Sequence, residues 1–361
     1  MGTFDEGARV RVGEALKFKA QSDGMTQAEL AEGMGVSAST VSKVWSGTIK
    51  RPLHYTNMAS ALGTTLEALL GGGEADEAAA GKVIPLGVVP SAPSCHVITV
   101  AARKGGSTKT TTSVHLAGGF ARMGLRCLLV DMDGQRDSTE WLVAPETEIG
   151  LTADDVLRRG ADPAEAIVPS MLENLDVLPA GDQMDTIESA MAGQWGMERR
   201  LDELIEPLRA RYDVILYDCP AAMDFRIVSA LMSSDWALIP TTSSTLDIKG
   251  LVSFIPRVLH YADPTRFNPR LQFLGIAVTR VKRNTLLARD ARAWLGEEFS
   301  GLLFDAVVHE STRYQELAGF QALIYDHDPE RAGDYEALAL EVAARAGFEP
   351  ALERGKEVAD G

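Results

Sequence analysis

The most constraining stretch of this chain is Val97-Ile98-Thr99-Val100-Ala101-Ala102-Arg103-Lys104-Gly105-Gly106-Ser107-Thr108-Lys109-Thr110-Thr111-Thr112. A buried-type strand runs into paired glycines, and these run into a segment that reads as a helix over Thr111–Met123. That order turns backbone N–H groups toward one point and adds the positive end of a helix, which makes a nest for an anion. Lys109 adds a point charge suited to β- and γ-phosphates, and the Thr110 hydroxyl suits a Mg²⁺ ion. The phosphate-binding stretch is therefore Lys104, Gly105, Gly106, Ser107, Thr108, Lys109, Thr110 and Thr111. Thr108 stands where the general pattern has glycine, so a side chain narrows the room above the phosphates.

A loop of this kind sits at the edge of a parallel sheet. Strand-like runs follow at Cys127–Val130, Leu175–Leu178, Val214–Tyr217, Trp236–Pro240 and Phe273–Val278, separated by helix-length stretches. Continuous apolar strands alternating with helices predict an α/β domain, a parallel sheet covered on both faces. Two strands end in acids: Asp131-Met132-Asp133-Gly134-Gln135, and Asp218-Cys219-Pro220. Parallel strands bring their C-terminal ends to one edge, so Asp131, Asp133 and Asp218 are predicted to meet near the γ-phosphate. Carboxylates there would hold hydrated Mg²⁺ and orient a water for in-line attack.

The region 71–94 opens with Gly71-Gly72-Gly73 and holds Pro85, Pro90 and Pro93, which predicts a linker. It divides a small all-α domain, residues 1–70, from the α/β domain, residues 95–361. The charge divides too. Residues 1–70 hold seven basic and seven acidic side chains, so the formal net charge of -16 belongs to the remainder. Such an acidic balance argues against a nucleic-acid coat over the whole surface. Within the first domain, Thr26 is placed to cap a helix from Gln27, Gly35 permits a left-handed turn, and Ser37 is placed to cap the next helix. In that second helix Val41 and Val44 face inward. Ala38, Ser39, Thr40 and Lys43 face outward, small and polar enough for a DNA major groove.

This pattern, with Gly47, Pro52 and Ala61-Leu62-Gly63 beyond it, resembles the helix-turn-helix of the lambda-repressor/Cro type over about residues 10–70. The resemblance implies site-specific DNA contacts from Gln27, Ser39, Thr40 and Lys43, with Lys50 and Arg51 near phosphates. A helical bundle used only for dimerisation or docking is the other reading, because the domain carries no net positive charge.

The second domain resembles the ParA family of chromosome and plasmid partition ATPases, the deviant Walker A group, over about residues 95–348. The match runs through Lys104 before the glycines, Asp131-Met132-Asp133-Gly134-Gln135, Asp218-Cys219-Pro220, Asp235-Trp236-Ala237-Leu238-Ile239-Pro240 and Ile324-Tyr325-Asp326-His327-Asp328-Pro329. It implies an ATPase with catalytic Lys104, Lys109 and Asp133, Lys104 reaching the partner's nucleotide across a homodimer. It implies Asp133 as the water-orienting carboxylate, Asp131 near Mg²⁺ and Asp218 as the Walker B acid, so that Thr110, Asp131 and Asp218 form the metal set. The implied cofactors are ATP and Mg²⁺, and the implied protein partner is a ParB-type centromere-binding protein that triggers hydrolysis. Lys282, Arg283 and Arg313 correspond to a surface that holds DNA without sequence preference, although solvated charge is the plainer reading of all three. The family pattern has Pro and Gly where this chain has Gly134 and Arg136, and Pro where it has Ala221.

Three other classes compete. A transcription regulator that uses nucleotide only as a conformational ligand, with little or no hydrolysis, is kept open by Thr108. A MinD-like membrane positioner would need a basic amphipathic tail, whereas residues 341–361 hold Gly347, Pro350 and several acids. An iron-sulfur relative would need a cysteine pair, and Cys95, Cys127 and Cys219 are far apart. With no leader-like opening and no apolar run near the ~18 residues of a membrane span, the expected location is cytoplasmic, and the ParA resemblance implies association with the nucleoid.

Overall fold

The computed structural model describes residues 13–14, 16–17, 19–21, 24–33, 37–46, 58, 95–103, 108–191, 197–221, 223–262, 267–283, 285–299 and 301–348. The segment expected to be a linker, 71–94, lies outside them, as do Lys104 to Ser107, Gly35, Gly47, Lys50, Arg51, Pro52 and residues 61–70. The chain divides into two compact units, Met1–Pro90 and Ser91–Gly361.

In the first unit, helix α1 spans Gln27–Gly33 and α2 spans Ala38–Trp45. Thr26 and Glu29 form a reciprocal cap. The Glu29 N–H donates to Thr26 Oγ1 at 3.2 Å, and the Thr26 N–H donates back to Glu29 Oε2 at 2.8 Å. Ser37 caps α2 by accepting from the Thr40 N–H at 3.2 Å. Val41 and Val44 are buried together with Leu16, Ala20, Leu30 and Met58, while Ala38, Ser39 and Lys43 stay exposed. The periodicity of the second helix therefore sets a buried seam and a polar outer face, as its sequence predicts.

The second unit is built on an eight-stranded sheet in the order β3-β4-β2-β5-β1-β6-β7-β8. In chain order β1 is His96–Val100, β2 Cys127–Asp131, β3 Val168–Pro169, β4 Leu175–Leu178, β5 Val214–Asp218, β6 Trp236–Thr242, β7 Gln272–Val281 and β8 Leu303–His309. Among the described strands only the short β3 runs antiparallel to its neighbour. The inner strands β1, β2 and β5 are buried at every position, which is why they read as mostly apolar, with an unbroken apolar run in β2 and β5 up to the final aspartate. Helix α3, Lys109–Arg122, follows β1, and α4, Asp137–Leu142, follows β2. Beyond them lie α5 (Phe225–Ser233), α6 (Thr245–Tyr261), α7 (Leu286–Glu298) and α8 (Pro329–Ala346).

Helix α3 is buried along nearly its whole length, and its core merges with Tyr335, Leu338, Ala339 and Val342 of α8. Two glycines permit the close approach: a Cβ at Gly119 would lie 3.2 Å from Ala339 Cβ of α8, and one at Gly118 would lie 2.2 Å from Leu323 Cδ1. The helix bearing the phosphate-loop lysine is thus held from both sides and forms a rigid base for the site. The three cysteines are buried free thiols. Among the described residues, no helix is long and apolar enough to cross a membrane.

Candidate active site

The site lies where β1, β5 and β2 end side by side. Val100 of β1 is in register with Asp218 of β5, and Asp218 is in register with Asp131 of β2. Of the phosphate-binding stretch, Thr108, Lys109, Thr110 and Thr111 are described, whereas Lys104, Gly105, Gly106 and Ser107 lie outside the described residues. Lys109 opens α3 and is 7% exposed.

Thr108 has φ 64° and ψ 21°, a left-handed conformation that a β-branched residue seldom adopts. That conformation explains why the general pattern has glycine here. The threonine is instead anchored by its hydroxyl. Thr279 Oγ1 at the end of β7 donates to the carbonyl of Thr241 at 3.1 Å, so the 2.5 Å contact between Thr108 and Thr279 places the donor on Thr108. The start of α3 is thereby pinned to β6 and β7 through two threonines that sequence spacing did not connect.

Asp218 is buried and its carboxyl is pushed up to about 7, first by burial and then by the neighbouring Asp131. Ser113, one turn along α3, donates to its Oδ1 at 3.0 Å, and the neighbouring Thr110 hydroxyl, with Lys109 and Ser113, pulls the value down. Its second oxygen, Oδ2, is buried and has no hydrogen-bond partner among the described residues. A buried carboxylate oxygen left open is costly unless something occupies it. Oxygen donors from Thr110 and Asp218, with phosphate and water oxygens, match the preference of a small hard cation such as Mg²⁺.

Asp131 is equally buried, yet both its oxygens are used internally. Oδ1 accepts the Asp133 N–H at 3.0 Å, and Oδ2 accepts the Thr139 N–H at 3.0 Å and the Thr139 hydroxyl at 2.6 Å. Burial raises its carboxyl to about 6 while these bonds pull it down. Asp131 therefore bridges the end of β2 to α4 and holds the backbone of Asp133. Asp133 itself is half-buried, and its Oδ1 accepts from the Gln135 N–H at 3.2 Å. Three carboxylates thus lie on one sheet edge with different bonding: one has an open oxygen, one braces the chain, and one is on a loop. Thr139 was not legible, because its role depends on a turn between β2 and α4.

The residues expected to bind DNA fall into two sets. In the first unit Gln27 spends a side-chain N–H on the carbonyl of Ala38 at 2.6 Å, bracing α1 against the start of α2. Ser39 and Lys43 are exposed and Thr40 is half-buried. In the second unit Lys282 and Arg283 follow β7, and Arg313 opens the helix after β8, so all three lie at the same sheet edge as the phosphate loop. Each is near an acid: Lys282 is 3.8 Å from Glu310, Arg283 pairs with Glu330, and Arg313 is 3.0 Å from Glu316. Exposed pairs of this kind contribute about 0–1 kcal/mol, so a phosphate backbone could displace them.

Comparison with known proteins matches residues 95–273 to a family described as AAA domain and residues 16–69 to one described as Helix-turn-helix. An uncharacterized protein of Mycobacterium tuberculosis is 32% identical over 257 residues, covering 70% of this chain and 80% of that protein. The chromosome partitioning protein ParA of Caulobacter vibrioides is 31% identical over 263 residues, covering 71% of this chain and 96% of that protein. Among solved structures, the septum site-determining protein MinD of Pyrococcus horikoshii, complexed with Mg-ADP, aligns with a TM-score of 0.57 at 25% identity, covering 70% of this chain and 98% of that one. A phosphate loop on a buried helix, paired aspartates at adjacent strand ends and near-complete coverage of a partitioning relative lead to one assignment: the chain belongs to the ParA family of P-loop ATPases and carries an N-terminal helix-turn-helix domain.

Proposed function

We propose that this chain is a Mg²⁺-dependent partition ATPase that contacts DNA through two separate surfaces. The observation that carries the reading is the open buried oxygen of Asp218, beside Thr110 at the first turn of α3 and one strand from the Asp133 loop. Lys109 would offset charge on the β- and γ-phosphates, and Thr110 and Asp218 would hold Mg²⁺. The ion would supply further neutralisation of the phosphates. Asp133 would orient the attacking water, with Asp131 positioning it through the backbone. Lys104 would act across a homodimer closed by ATP, whose basic edge at Lys282, Arg283 and Arg313 would hold DNA without sequence preference. The helix-turn-helix would add site-specific binding and repression of the chain's own operon. A ParB-type partner would stimulate hydrolysis, and the protein would work in the cytoplasm on the nucleoid. The likeness to a chromosome partitioning protein supports this role.

The test is ATP turnover by the full chain with Mg²⁺, duplex DNA and the product of any adjacent ParB-like gene. Turnover that rises with both additions is the expected result. Absence of turnover in every condition would favour the second reading, a nucleotide-responsive regulator, for which Thr108 in a glycine conformation is the supporting observation. Light scattering with ATP then addresses Lys104: Lys104→Ala should bind ATP yet remain monomeric, and a stable ATP dimer would remove its role in trans. The two DNA surfaces should separate in binding assays. Thr40→Ala with Lys43→Ala should lose a specific operator, and Arg283→Ala with Arg313→Ala should lose ATP-dependent binding to random duplex.

A further inference from the structure

Arg226 is 8% exposed on the first turn of α5, and a guanidinium is rarely so buried without partners. Two carboxylates hold it from different parts of the chain. Asp224, the cap of α5, accepts from Arg226 Nε at 3.0 Å and from Nη2 at 2.6 Å. Asp185, in the turn Met184–Thr186 beyond β4, accepts from Nη1 at 2.7 Å. The carboxylate of Asp185 in turn sits on the backbone of Gly134: a Cβ at that position would lie 2.3 Å from Asp185 Cγ and 2.4 Å and 2.6 Å from its two oxygens. Gly134 immediately follows Asp133. A second tie joins the same two segments, since Arg136 Nη1 donates to Asp182 Oδ1 at 3.1 Å. The loop after β2, the turn after β4 and the loop after β5 are thus joined at the nucleotide edge by two sets of ion pairs and the close approach of Asp185 to Gly134.

We propose that Asp185, Arg226 and Asp224 are positioning residues that seat the Asp133 loop against the loop following Asp218, and that Gly134 is the steric counterpart of Asp185. The chain's departure from the family pattern at position 134 then has a physical reason. A side chain there would drive Asp185 away from Arg226 or push the backbone of Asp133 out of place. Small displacements of a group that orients a reacting water are costly in rate and nearly silent in binding, because the phosphate contacts are made elsewhere. This inference rests on the assignment of Asp133 to water orientation.

The experiment measures steady-state ATP turnover and ATP affinity for the full chain with Mg²⁺ and duplex DNA, in Gly134→Ala, Asp185→Ala, the double variant and Asp133→Ala. Gly134→Ala should lower kcat about tenfold with KM and ATP affinity within about twofold of the parent. Asp185→Ala should lower kcat about threefold, since the loop loses its seat but is not displaced. The double variant should match Asp185→Ala, because the space left by the carboxylate takes the added methyl group. Arg226→Lys, which keeps the charge but loses the fork, should fall between the parent and Asp185→Ala. A parental kcat in Gly134→Ala would overturn the proposal. So would a double variant whose loss is the product of the two single losses, or variants whose ATP affinity and melting temperature fall in step with kcat. Parental turnover in Asp133→Ala would instead overturn the underlying site assignment, a result distinct from any of these.

Discussion

Strands β2 and β5 lie side by side, and each ends in a buried aspartate, Asp131 opposite Asp218. By composition and burial the two positions are alike, and burial raises both carboxyls. Their hydrogen bonds separate them. The β2 carboxylate receives three donors from its own chain, so its desolvation is offset by structure. The β5 carboxylate receives the Ser113 hydroxyl on one oxygen and keeps the other open among the described residues. A buried acid whose partners are complete is part of the frame, and one with an open oxygen has room for a further partner. Partner accounting, rather than burial or a shifted pKa alone, distinguishes a site from its scaffold.

The comparison can be broken most severely at the base that both strand ends share. Lys109→Ala should weaken ATP binding by two orders of magnitude or more, roughly 3 kcal/mol, because a buried cation is removed from the anion nest. Direct titration with ATP and Mg²⁺ checks this, and unchanged affinity would show that Lys109 does not hold the phosphates. Asp133→Ala should leave that affinity intact while slowing hydrolysis about a hundredfold, leaving the variant as an ATP-bound dimer on DNA. Quench-flow of bound nucleotide separates the two effects.

A paired substitution sharpens the contrast. Asp131→Asn turns an amide N–H toward existing donors and should cost about 2–3 kcal/mol of stability in denaturant titrations. Asp218→Asn places its new donor at an open position, so it should change stability by less than about 1 kcal/mol while abolishing Mg²⁺-dependent turnover. Equal stability losses in the two variants would erase the distinction.

His115 on α3 provides a buried group on the fully partnered side. Its Nδ1–H donates to the Thr111 carbonyl at 2.8 Å, its Nε2 accepts from the Ile324 N–H at 3.3 Å, and its ring stacks on Tyr335. Burial lowers its pKa from 6.5 to about 4. A folded-state value below the unfolded one gives stability that is present above about pH 6.5 and is lost as the pH falls toward 4, by roughly 3 kcal/mol in the limit. Replacing His115 with Gln should flatten that part of the stability profile, measured by denaturant titration between pH 7 and 4.5. The smallest effect belongs to an exposed partner: Ser37→Ala should cost the first unit about 1 kcal/mol through loss of the α2 cap.

Much of the second unit was legible because buried parallel strands leave a simple trace. Val214–Tyr217 and Cys127–Val130 are unbroken apolar runs, and both strands continue one residue further, into Asp218 and Asp131. Two other strands left no such trace. Strand β3 is a two-residue antiparallel pairing that contains Pro169, so its existence depends on β4 rather than on its own residues. Strand β8 forms the edge of the sheet and is only partly buried, with Asp305 exposed, which breaks the apolar run. At the site, the acids themselves could be named from strand ends, since their placement follows from parallel topology. The partners that decide their use could not. Ser113 lies one helical turn from Lys109 and was within reach of periodicity, but Thr139, Thr279 and the Asp185–Arg226 contact depend on loops meeting across the sheet edge.

The order of the sheet has a consequence for a chain emerging from a ribosome. Strand β1 carries the phosphate loop and occupies the middle of the sheet, paired to β5 through His96 and Val214 and to β6 through Ile98 and Trp236. Its first neighbour is translated about 120 residues later, which at roughly 5–20 residues per second is a delay of about 6–24 s. Through that interval His96–Val100, with Val97, Ile98 and Val100 apolar, has neither of its final neighbours, and it is the kind of segment that sticks to other nascent chains. The most functional strand of the domain is therefore the one most dependent on protection during synthesis, and slowing translation between β1 and β5 should lower the soluble yield more than slowing it anywhere after β6.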